Sequence, residues 1–328
     1  MAWAPGMARA ARRIATAAAL GGGGLTALGA TAYGLLIAEG LLARKAIGRP
    51  HGLDGPPSDG TYGGGFSGEP LRMAMLGDST SVGLGTTDRS HTPGVLLANG
   101  LAAVAERPVR LLVAGVSGAP SAALADQVDL ALAMEPDLAV IFVGANDIIT
   151  QTLPAVAVRH LAKAVRRLRA AEAEVVVGTC PDLGTVLPIA QPLRWVTRRW
   201  SRQLAAAQTV AVVDAGGRTV SFADVLGPEF ATNPAEMFGP DGFHPSDRGY
   251  AQAAYAVLPS VCAALGLWPE PRPARGEAPQ PIYLAAATAA EEPGTEVTPT
   301  RVDGRATGLH GKWATLFRRR LGETLNDA

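Results

Sequence analysis

Four short polar clusters contain the residues whose types and spacing are suited to chemistry. The first contains Ser79 after Gly77-Asp78, and the last contains Asp241 and His244, separated by two residues. A serine hydroxyl becomes a good nucleophile when a histidine removes its proton, and a carboxylate orients that histidine. These residue types therefore predict nucleophilic chemistry, provided that the fold brings Ser79 and His244 together.

The two middle clusters offer hydrogen-bond donors. Gly115 lies in the segment AGVSGAPS, and Asn146 lies in GAND. A glycine lets its backbone N–H approach a ligand closely, and an asparagine offers a side-chain amide. Such donors stabilise the negative oxygen that develops during acyl transfer, and the loss of one typically lowers the rate about 10²–10³-fold.

Each cluster also has an ordinary structural interpretation. Asp78 and Ser79 are both common helix caps, and Gly115 is a common turn residue. Asn146 can begin a helix, and His244 can lie in an exposed turn. The four clusters in this order favour the catalytic interpretation over these alternatives. The histidines at positions 51, 91, 160 and 310 lack comparable surroundings and receive no role.

Short apolar runs alternate with helical segments through the middle of the chain. The runs are Leu71–Leu76, Val109–Ala114, Leu138–Val143, Glu174–Gly178 and Val210–Val213. The helical segments are Pro93–Glu106, Ser121–Met134, Pro154–Ala171, Pro192–Gln208 and Ser246–Leu265. This alternation predicts a parallel sheet covered by helices. Three polar clusters follow apolar runs, at the edge of such a sheet where ligands bind.

These four clusters resemble the signature blocks of the SGNH/GDSL hydrolase superfamily and span residues 71 to 265. The resemblance implies that Ser79 is the nucleophile, Asp241 the acid and His244 the base. It also implies an oxyanion hole formed by the Ser79 amide, Gly115 and Asn146. Thr80 stands where a leucine gives the GDSL name, which leaves the chemistry unchanged.

The resemblance further implies the fold and the activity. The expected fold class is α/β, a flavodoxin-like three-layer α/β/α sandwich with about five parallel strands. The expected activity is hydrolysis of carboxylic esters of small molecules, lipids or acylated sugars, with no cofactor or metal. Two alternatives are an acyltransferase with the same triad and a catalytically silent, membrane-tethered binding module.

Residues 1–49 form a predicted N-terminal hydrophobic segment. No charged residue occurs from Ile14 to Ala38, and a helix of this length rises about 37 Å, enough to cross a bilayer core. A membrane anchor is therefore expected, with a cleaved secretory signal and a buried helix as alternatives. The expected location is the bacterial cell envelope, either membrane-anchored or secreted.

Composition divides the remaining chain into three parts. Residues 50–70 are rich in Gly and Pro and are expected to be a flexible linker. Residues 71–268 form the expected hydrolase domain. Residues 269–328 are Pro-rich and expected to be mostly disordered, with a possible short basic helix at Lys312–Leu325. The helix at Pro192–Gln208 carries Trp195 and Trp200, which either face lipid head groups or pack on the sheet.

The balance of charges excludes some function classes. Lysine plus arginine and aspartate plus glutamate number 29 each, so no basic excess favours nucleic-acid binding. The chain has two cysteines, Cys180 and Cys262, which are too few for a structural zinc site. Whether they form a disulfide is left open by the sequence.

Overall fold

Strands and helices alternate through the middle of the chain. The computed structural model describes residues 23–48, 54–222, 227–269, 279–291, 295–300, 307–308 and 311–318. Its strands are β1 (Gly60–Tyr62), β2 (Leu71–Gly77), β3 (Val109–Val113), β4 (Leu138–Phe142), β5 (Glu174–Gly178), β6 (Arg218–Val220), β7 (Gln280–Pro281), β8 (Thr295–Thr300), β9 (Thr307–Gly308) and β10 (Gly311–Arg318). Its helices are α1 (Gly23–Ile47), α2 (Pro93–Ala105), α3 (Leu124–Leu132), α4 (Ala145–Ile149), α5 (Pro154–Ala170), α6 (Leu193–Asp214), α7 (Gly227–Thr232), α8 (Pro234–Met237), α9 (Asp247–Ala264) and α10 (Ile282–Ala289).

The strands form one mixed sheet in the order β1-β3-β2-β4-β5-β6-β8-β10-β7, with β9 paired to β10. The five strands from β3 to β6 in this order are parallel to one another, which confirms the predicted count. The fifth strand, however, was wrongly placed at Val210–Val213. That run belongs to the last turns of α6, and the parallel strand is the short segment Arg218–Val220.

Two hydrophobic cores lie on the two faces of the sheet. Because successive side chains of a strand point to opposite faces, Met73 and Met75 join one core while Ala74 and Leu76 join the other. Helices α2 and α9 contribute to the first core, and α3 and α5 contribute to the second. This arrangement is the predicted three-layer α/β/α fold. Both cysteines are buried in the first core, and no disulfide joins them.

Local sequence explains where several helices begin. Pro93 and Pro154 lie in the first turns of α2 and α5, where proline's missing N–H costs no helical hydrogen bond. Ser246 precedes α9, and its hydroxyl accepts a hydrogen bond from the Gly249 amide at 3.2 Å. These helices therefore start within a residue of the predicted positions. Helix α9 begins directly after the loop that contains His244.

The strand order creates a crevice at the end of β2. The chain moves from β2 to β3 on one side, and then crosses to β4 on the other side of β2. At such a switch point the following connections diverge, which leaves space for a ligand at the carboxyl ends of the strands. Ser79 follows β2 directly, so the topology places it in this crevice.

The N-terminal helix packs against the hydrolase domain through a few residues. Glu39 is 7% exposed, and its carboxylate accepts a hydrogen bond from the Leu193 amide at 2.8 Å. Ala43, one turn further on, is buried in the first core. Part of the expected span from Ile14 to Ala38 lies outside the described residues. Within the described ranges, no helix combines the length and apolar character that crossing a membrane requires, so the expected membrane anchor gains no support.

The described residues on either side of the predicted hydrolase domain include strands of the sheet. The predicted linker contains β1, which pairs with the edge strand β3. The predicted tail contributes β8, which pairs with β6, and the buried Glu296 of β8 contacts Arg218 of β6 at 3.3 Å.

The helix predicted from Lys312 was wrong, because Lys312–Arg318 lies in β10. Ala314 and Leu316 of that strand are buried while Trp313 and Thr315 are only half-buried, so the period is that of a strand. The part of the predicted helix after Arg318 lies outside the described residues.

Candidate active site

Hydrogen bonds to Gly77 and Asp78 fix the end of β2, which leads directly into Ser79. The amide of the buried Gln127 donates to the Gly77 carbonyl at 2.9 Å and accepts from the Gly77 N–H at 2.7 Å. The next amide, that of Asp78, donates to the Phe142 carbonyl of β4 at 2.9 Å. These bonds fix the backbone before the turn that carries Ser79. Gln127 is a positioning residue that the sequence did not single out.

The structure brings the three predicted triad residues together. Nε2 of His244 lies 3.1 Å from Oγ of Ser79, and Nδ1 of His244 lies 2.6 Å from Oδ2 of Asp241. Ser79 and Asp241 are each 6% exposed. More than half of the hydrolase domain separates them in sequence. Both distances are within hydrogen-bonding range, so a proton can move from the serine to the imidazole while the carboxylate orients the ring.

The loop between α8 and α9 positions the acid and the base. One oxygen of Asp241 accepts hydrogen bonds from the amides of Phe243 and His244, each at 2.9 Å. The Gly239 amide donates to the His244 carbonyl at 2.8 Å and closes the loop. Burial raises the pKa of Asp241, but the hydrogen bonds from the His244 ring and the two amides outweigh it and hold this pKa below its usual value. Asp241 therefore stays ionised and can orient the imidazole.

Asp78 is a second buried carboxyl group beside the site. Burial raises its pKa to about 6, although a hydrogen bond from the Thr80 amide and the nearby His244 oppose the rise. The triad geometry gives it no role in proton transfer, because its carboxylate accepts a hydrogen bond from the Thr80 amide and, among the described residues, makes none with Ser79 or His244. Its buried charge is instead a cost to the folded state at neutral pH.

We expect Asp78→Asn to be stabilised relative to wild type as pH rises. The folded-state pKa of about 6 exceeds the ordinary aspartate value of 3.8, so folded wild type binds this proton more tightly and its free energy of unfolding falls as the pH rises between these values. The variant lacks this fall, so its advantage should grow from near zero at pH 4 towards about 3 kcal/mol at pH 7. Urea unfolding of both proteins across this range measures the difference, and a constant difference would contradict the prediction.

Two predicted oxyanion donors are free to act. Within the described ranges the Ser79 N–H makes no hydrogen bond, whereas the neighbouring amides of Asp78, Thr80 and Ser81 all do. Asn146 lies in the first turn of α4, directly after β4. Its side-chain amide also has no hydrogen-bond partner in the described part of the chain. Both groups can therefore donate to a substrate oxygen.

The structure does not support the predicted role of Gly115. Its N–H donates to the Met75 carbonyl at 3.2 Å, so it points back into the sheet. A Cβ at this position would lie 2.0 Å from Oγ of Ser81, which shows that glycine is needed here for close packing.

Gly118, in the same loop, is the residue that the sequence analysis missed. It has a positive φ of 78°, and no atom lies within 4 Å of the place where a Cβ would stand. Its N–H has no acceptor among the described residues, while the Ala119 amide closes a turn to the Val116 carbonyl at 3.1 Å. The signal was present in the sequence as Ser-Gly followed by Ala-Pro, a pattern typical of a tight turn.

A narrow cavity of about 50 Å³ opens beside Ser79 and His244. Its walls include five of the seven phenylalanines of the chain, namely Phe142, Phe222, Phe230, Phe238 and Phe243. Phe142 and Phe222 meet edge to face with their ring centroids 4.6 Å apart, as do Phe230 and Phe238. Such a lining binds an apolar group next to the nucleophile.

Trp195 and Trp200 lie outside this cavity, at 61% and 43% exposure on α6. They therefore do not pack on the sheet, which was one of the two interpretations of this helix.

Comparison with known proteins identifies the family of the chain. A model of the GDSL-like Lipase/Acylhydrolase family matches residues 75–252, more than half of the chain. A curated relative, a GDSL-like esterase of Mycobacterium tuberculosis, is 40% identical over 266 residues, which cover 77% of this chain and 83% of the relative.

Solved structures also resemble the chain. The crystal structure of TesA matches with 26% identity and a TM-score of 0.47, covering 59% of this chain and 99% of that one. A catalytic mutant of Axe2, an acetylxylan esterase from Geobacillus stearothermophilus, matches with 17% identity and a TM-score of 0.46, covering 61% and 96%. On the family match and the curated relative, the chain belongs to the GDSL-like lipase/acylhydrolase family and is a carboxylic ester hydrolase.

Proposed function

We propose that this enzyme hydrolyses carboxylic esters through an acyl-enzyme on Ser79. The observation that carries the proposal is the continuous contact from Oγ of Ser79 through the His244 ring to Asp241, at 3.1 and 2.6 Å. It lies at the mouth of an apolar cavity, where an ester's acyl group would sit. No ordinary capping or turn role requires these three side chains to meet.

In the first step His244 acts as the base. Its Nε2 takes the Ser79 proton as Oγ attacks the ester carbonyl carbon, which forms a tetrahedral intermediate with a negative oxygen. The Asp241 carboxylate accepts a hydrogen bond from Nδ1–H of His244 and stabilises the protonated imidazole. His244 then gives the proton to the departing alkoxide, so an alcohol leaves and Ser79 keeps the acyl group.

In the second step water takes the place of the alcohol. Nε2 of His244 removes a proton from water, and the resulting hydroxide attacks the acyl carbon of the Ser79 ester. The second tetrahedral intermediate breaks the bond to Oγ, and His244 returns the proton to Ser79. The products are the free carboxylic acid and the original enzyme, and no other reagent is required.

The negative oxygen of each intermediate is assigned three donors. These are the Ser79 N–H, the Gly118 N–H and the side-chain amide of Asn146. All three lack other acceptors in the described structure, and Gly118 replaces the Gly115 of the sequence-based set. Donors that are fixed before the reaction stabilise the transition state more than the ground state.

We expect Asn146→Ala to lower kcat about 10²–10³-fold with little change in KM, because the lost donor acts on the transition state. Steady-state kinetics on a soluble p-nitrophenyl ester measure this effect. Asn99→Ala, on the exposed side of α2, is the matched control and should behave as wild type. A variant that loses affinity for substrate but keeps its kcat would show that Asn146 is not an oxyanion donor.

The phenylalanine-lined cavity is assigned to the acyl group, and its small volume favours short acyl chains. Phe222→Leu should widen it and raise the ratio of kcat/KM for hexanoate over acetate esters about 10-fold. Phe66→Leu serves as the control, because Phe66 is 38% exposed and outside the cavity. An unchanged ratio in a folded Phe222→Leu protein would place the acyl group elsewhere.

Burst kinetics test the covalent mechanism. With p-nitrophenyl butyrate, rapid mixing should release p-nitrophenol in a burst that does not exceed one equivalent of enzyme, followed by the steady rate. Butyrate should accumulate at the steady rate alone. His244→Ala should show neither phase, whereas His91→Ala should keep both. Full steady hydrolysis by His244→Ala would overturn the proposal.

A further inference from the structure

Asp147 is a buried carboxyl group that the proposed triad does not use. Its side chain is fully buried, and within the described part of the chain its carboxylate accepts hydrogen bonds from one residue, Ser121. The Ser121 N–H lies 3.1 Å from each carboxylate oxygen, and the Ser121 hydroxyl donates to Oδ2 at 2.6 Å. Ser121 is fully buried as well. A buried contact of this kind joins two loops rigidly.

The two ends of this contact carry the two halves of the assigned oxyanion hole. Asp147 directly follows Asn146 in the first turn of α4, and its own amide donates to the Gly144 carbonyl at 3.1 Å. Ser121 ends the loop that contains Gly118, at the start of the helical stretch leading into α3. The two loops follow different strands. The loop with Gly118 and Ser121 follows β3, whereas Asn146 and Asp147 follow β4.

No covalent constraint fixes the distance between these loops. β3 and β4 lie on opposite sides of β2, so the loops that follow them meet only above the end of β2. The Gly118 turn is exposed, and its backbone hydrogen bonds run to β2 or stay within the turn, from Val116 to the Gly77 carbonyl and from Ala119 to the Val116 carbonyl, whereas none of them reaches α4. The hydrogen bond from the Ser121 hydroxyl to Asp147 is a side-chain link that ties the end of this loop to α4.

The surroundings of Asp147 make the contact costly to lose. Burial raises the pKa of this carboxyl group, while the hydrogen bonds from Ser121 and the nearby His160 oppose the rise. A buried carboxyl group without hydrogen bonds is unfavourable in either protonation state. The loop that contains Gly118 is therefore held in the arrangement in which Ser121 keeps its hydrogen bonds to Asp147.

We propose that Asp147 and Ser121 form a positioning pair that sets the Gly118 and Asn146 donors at the spacing required by the oxyanion. This inference rests on the proposed function, because it assigns a supporting role to residues of the same site. Neither side chain touches the reacting atoms. The pair acts through the donors, in the way that a displacement of about 1 Å can cost about 10² in rate.

Loss of either partner should lower kcat without weakening substrate binding. We expect Asp147→Asn and Ser121→Ala each to reduce kcat about 10- to 100-fold, with KM changed less than about 3-fold. The double variant should be about as slow as the slower single variant, because the two residues act as one unit. Ser121→Thr keeps both donors and should recover most of the activity.

The rates are measured per functional site, which removes the effect of misfolded protein. Each variant is titrated with a fluorophosphonate, and its kcat is divided by the fraction that reacts. Thr209→Val removes a buried hydroxyl on α6 and is the control for a purely structural loss. It should lower the melting temperature with no change in kcat per titrated site.

Two outcomes separate the proposals. If Ser79→Ala is inactive but Asp147→Asn and Ser121→Ala keep wild-type kcat per titrated site, the positioning pair is overturned and the triad stands. If Ser79→Ala is active, the proposed function itself fails. Should Asp147→Asn not fold, Ser121→Ala decides alone, since it keeps the backbone N–H bond to Asp147.

Discussion

Replacing Ser79 by Ala is expected to lower kcat/KM for ester hydrolysis by about 10⁴-fold or more. The hydroxyl is the only group that can form the acyl-enzyme in the proposed mechanism, and His244 has no other proton to take at 3.1 Å. The substitution removes one oxygen at a site that is 6% exposed, so the fold should tolerate it. Kinetics with p-nitrophenyl butyrate and a thermal melt measure both effects.

A matched serine variant provides the control. Ser90 lies in an exposed turn, where its backbone amide donates a hydrogen bond to Asp88 at 2.8 Å. Ser90→Ala should keep full activity and the same melting temperature. Residual hydrolysis by Ser79→Ala within 10-fold of wild type would mean that a direct attack by water, assisted by His244, carries the reaction.

Asp241→Asn is expected to lower kcat about 10³–10⁴-fold and to leave KM nearly unchanged. The side-chain oxygen of an asparagine can still accept hydrogen bonds from the amides of Phe243 and His244, so the loop should keep its shape. The group facing Nδ1 of His244 would then be an amide N–H₂, which cannot accept the ring proton. This favours the imidazole tautomer that carries its proton on Nε2, where it cannot act as a base towards Ser79.

Asp247→Asn is the control for this substitution. Asp247 begins α9 three residues after His244 and contacts His91 at the surface at 2.8 Å. Replacing the Asp247 carboxylate should change activity less than about 2-fold, because an exposed contact of this kind contributes little energy. If Asp241→Asn kept wild-type kcat, the carboxylate would not orient His244, and the site would work as a serine–histidine pair.

Much of the fold and site was predictable from particular residues. The alternation of apolar runs with helical segments predicted the positions of the parallel strands up to β5 along the chain, because strands buried on both faces read as continuous apolar runs. Asp241 and His244 stood close in sequence within one loop, so their contact depended only on local geometry. Ser79 was predictable from its position after β2, where the topology creates a crevice.

The fifth strand and the C-terminal strands could not be assigned in this way. Val212 and Val213 are buried because the last turns of α6 pack against the sheet and against α10, so a helix here looks like a strand in sequence. β6 is only three residues long and gives little signal. β10 alternates weakly and gains its stability from β8, a partner that the sequence alone does not reveal.

The exchange of Gly115 for Gly118 has a different cause. Both glycines lie in the same loop after β3, and both are suited to a close backbone approach. Only the direction of each N–H separates them, since one bonds to Met75 and the other faces open space. Asp147 was likewise visible beside Asn146, but its contact with Ser121 depends on how two loops from different strands meet.

The central claim is that Ser79 is the nucleophile activated by His244, and covalent labelling tests it most directly. Purified enzyme is treated with a fluorophosphonate, and the modified residue is identified by peptide mass spectrometry in wild type, Ser79→Ala and His244→Ala. The account predicts one adduct per chain on Ser79, no adduct in Ser79→Ala and strongly slowed labelling in His244→Ala. An adduct on another residue, or equal labelling of all three proteins, would contradict it.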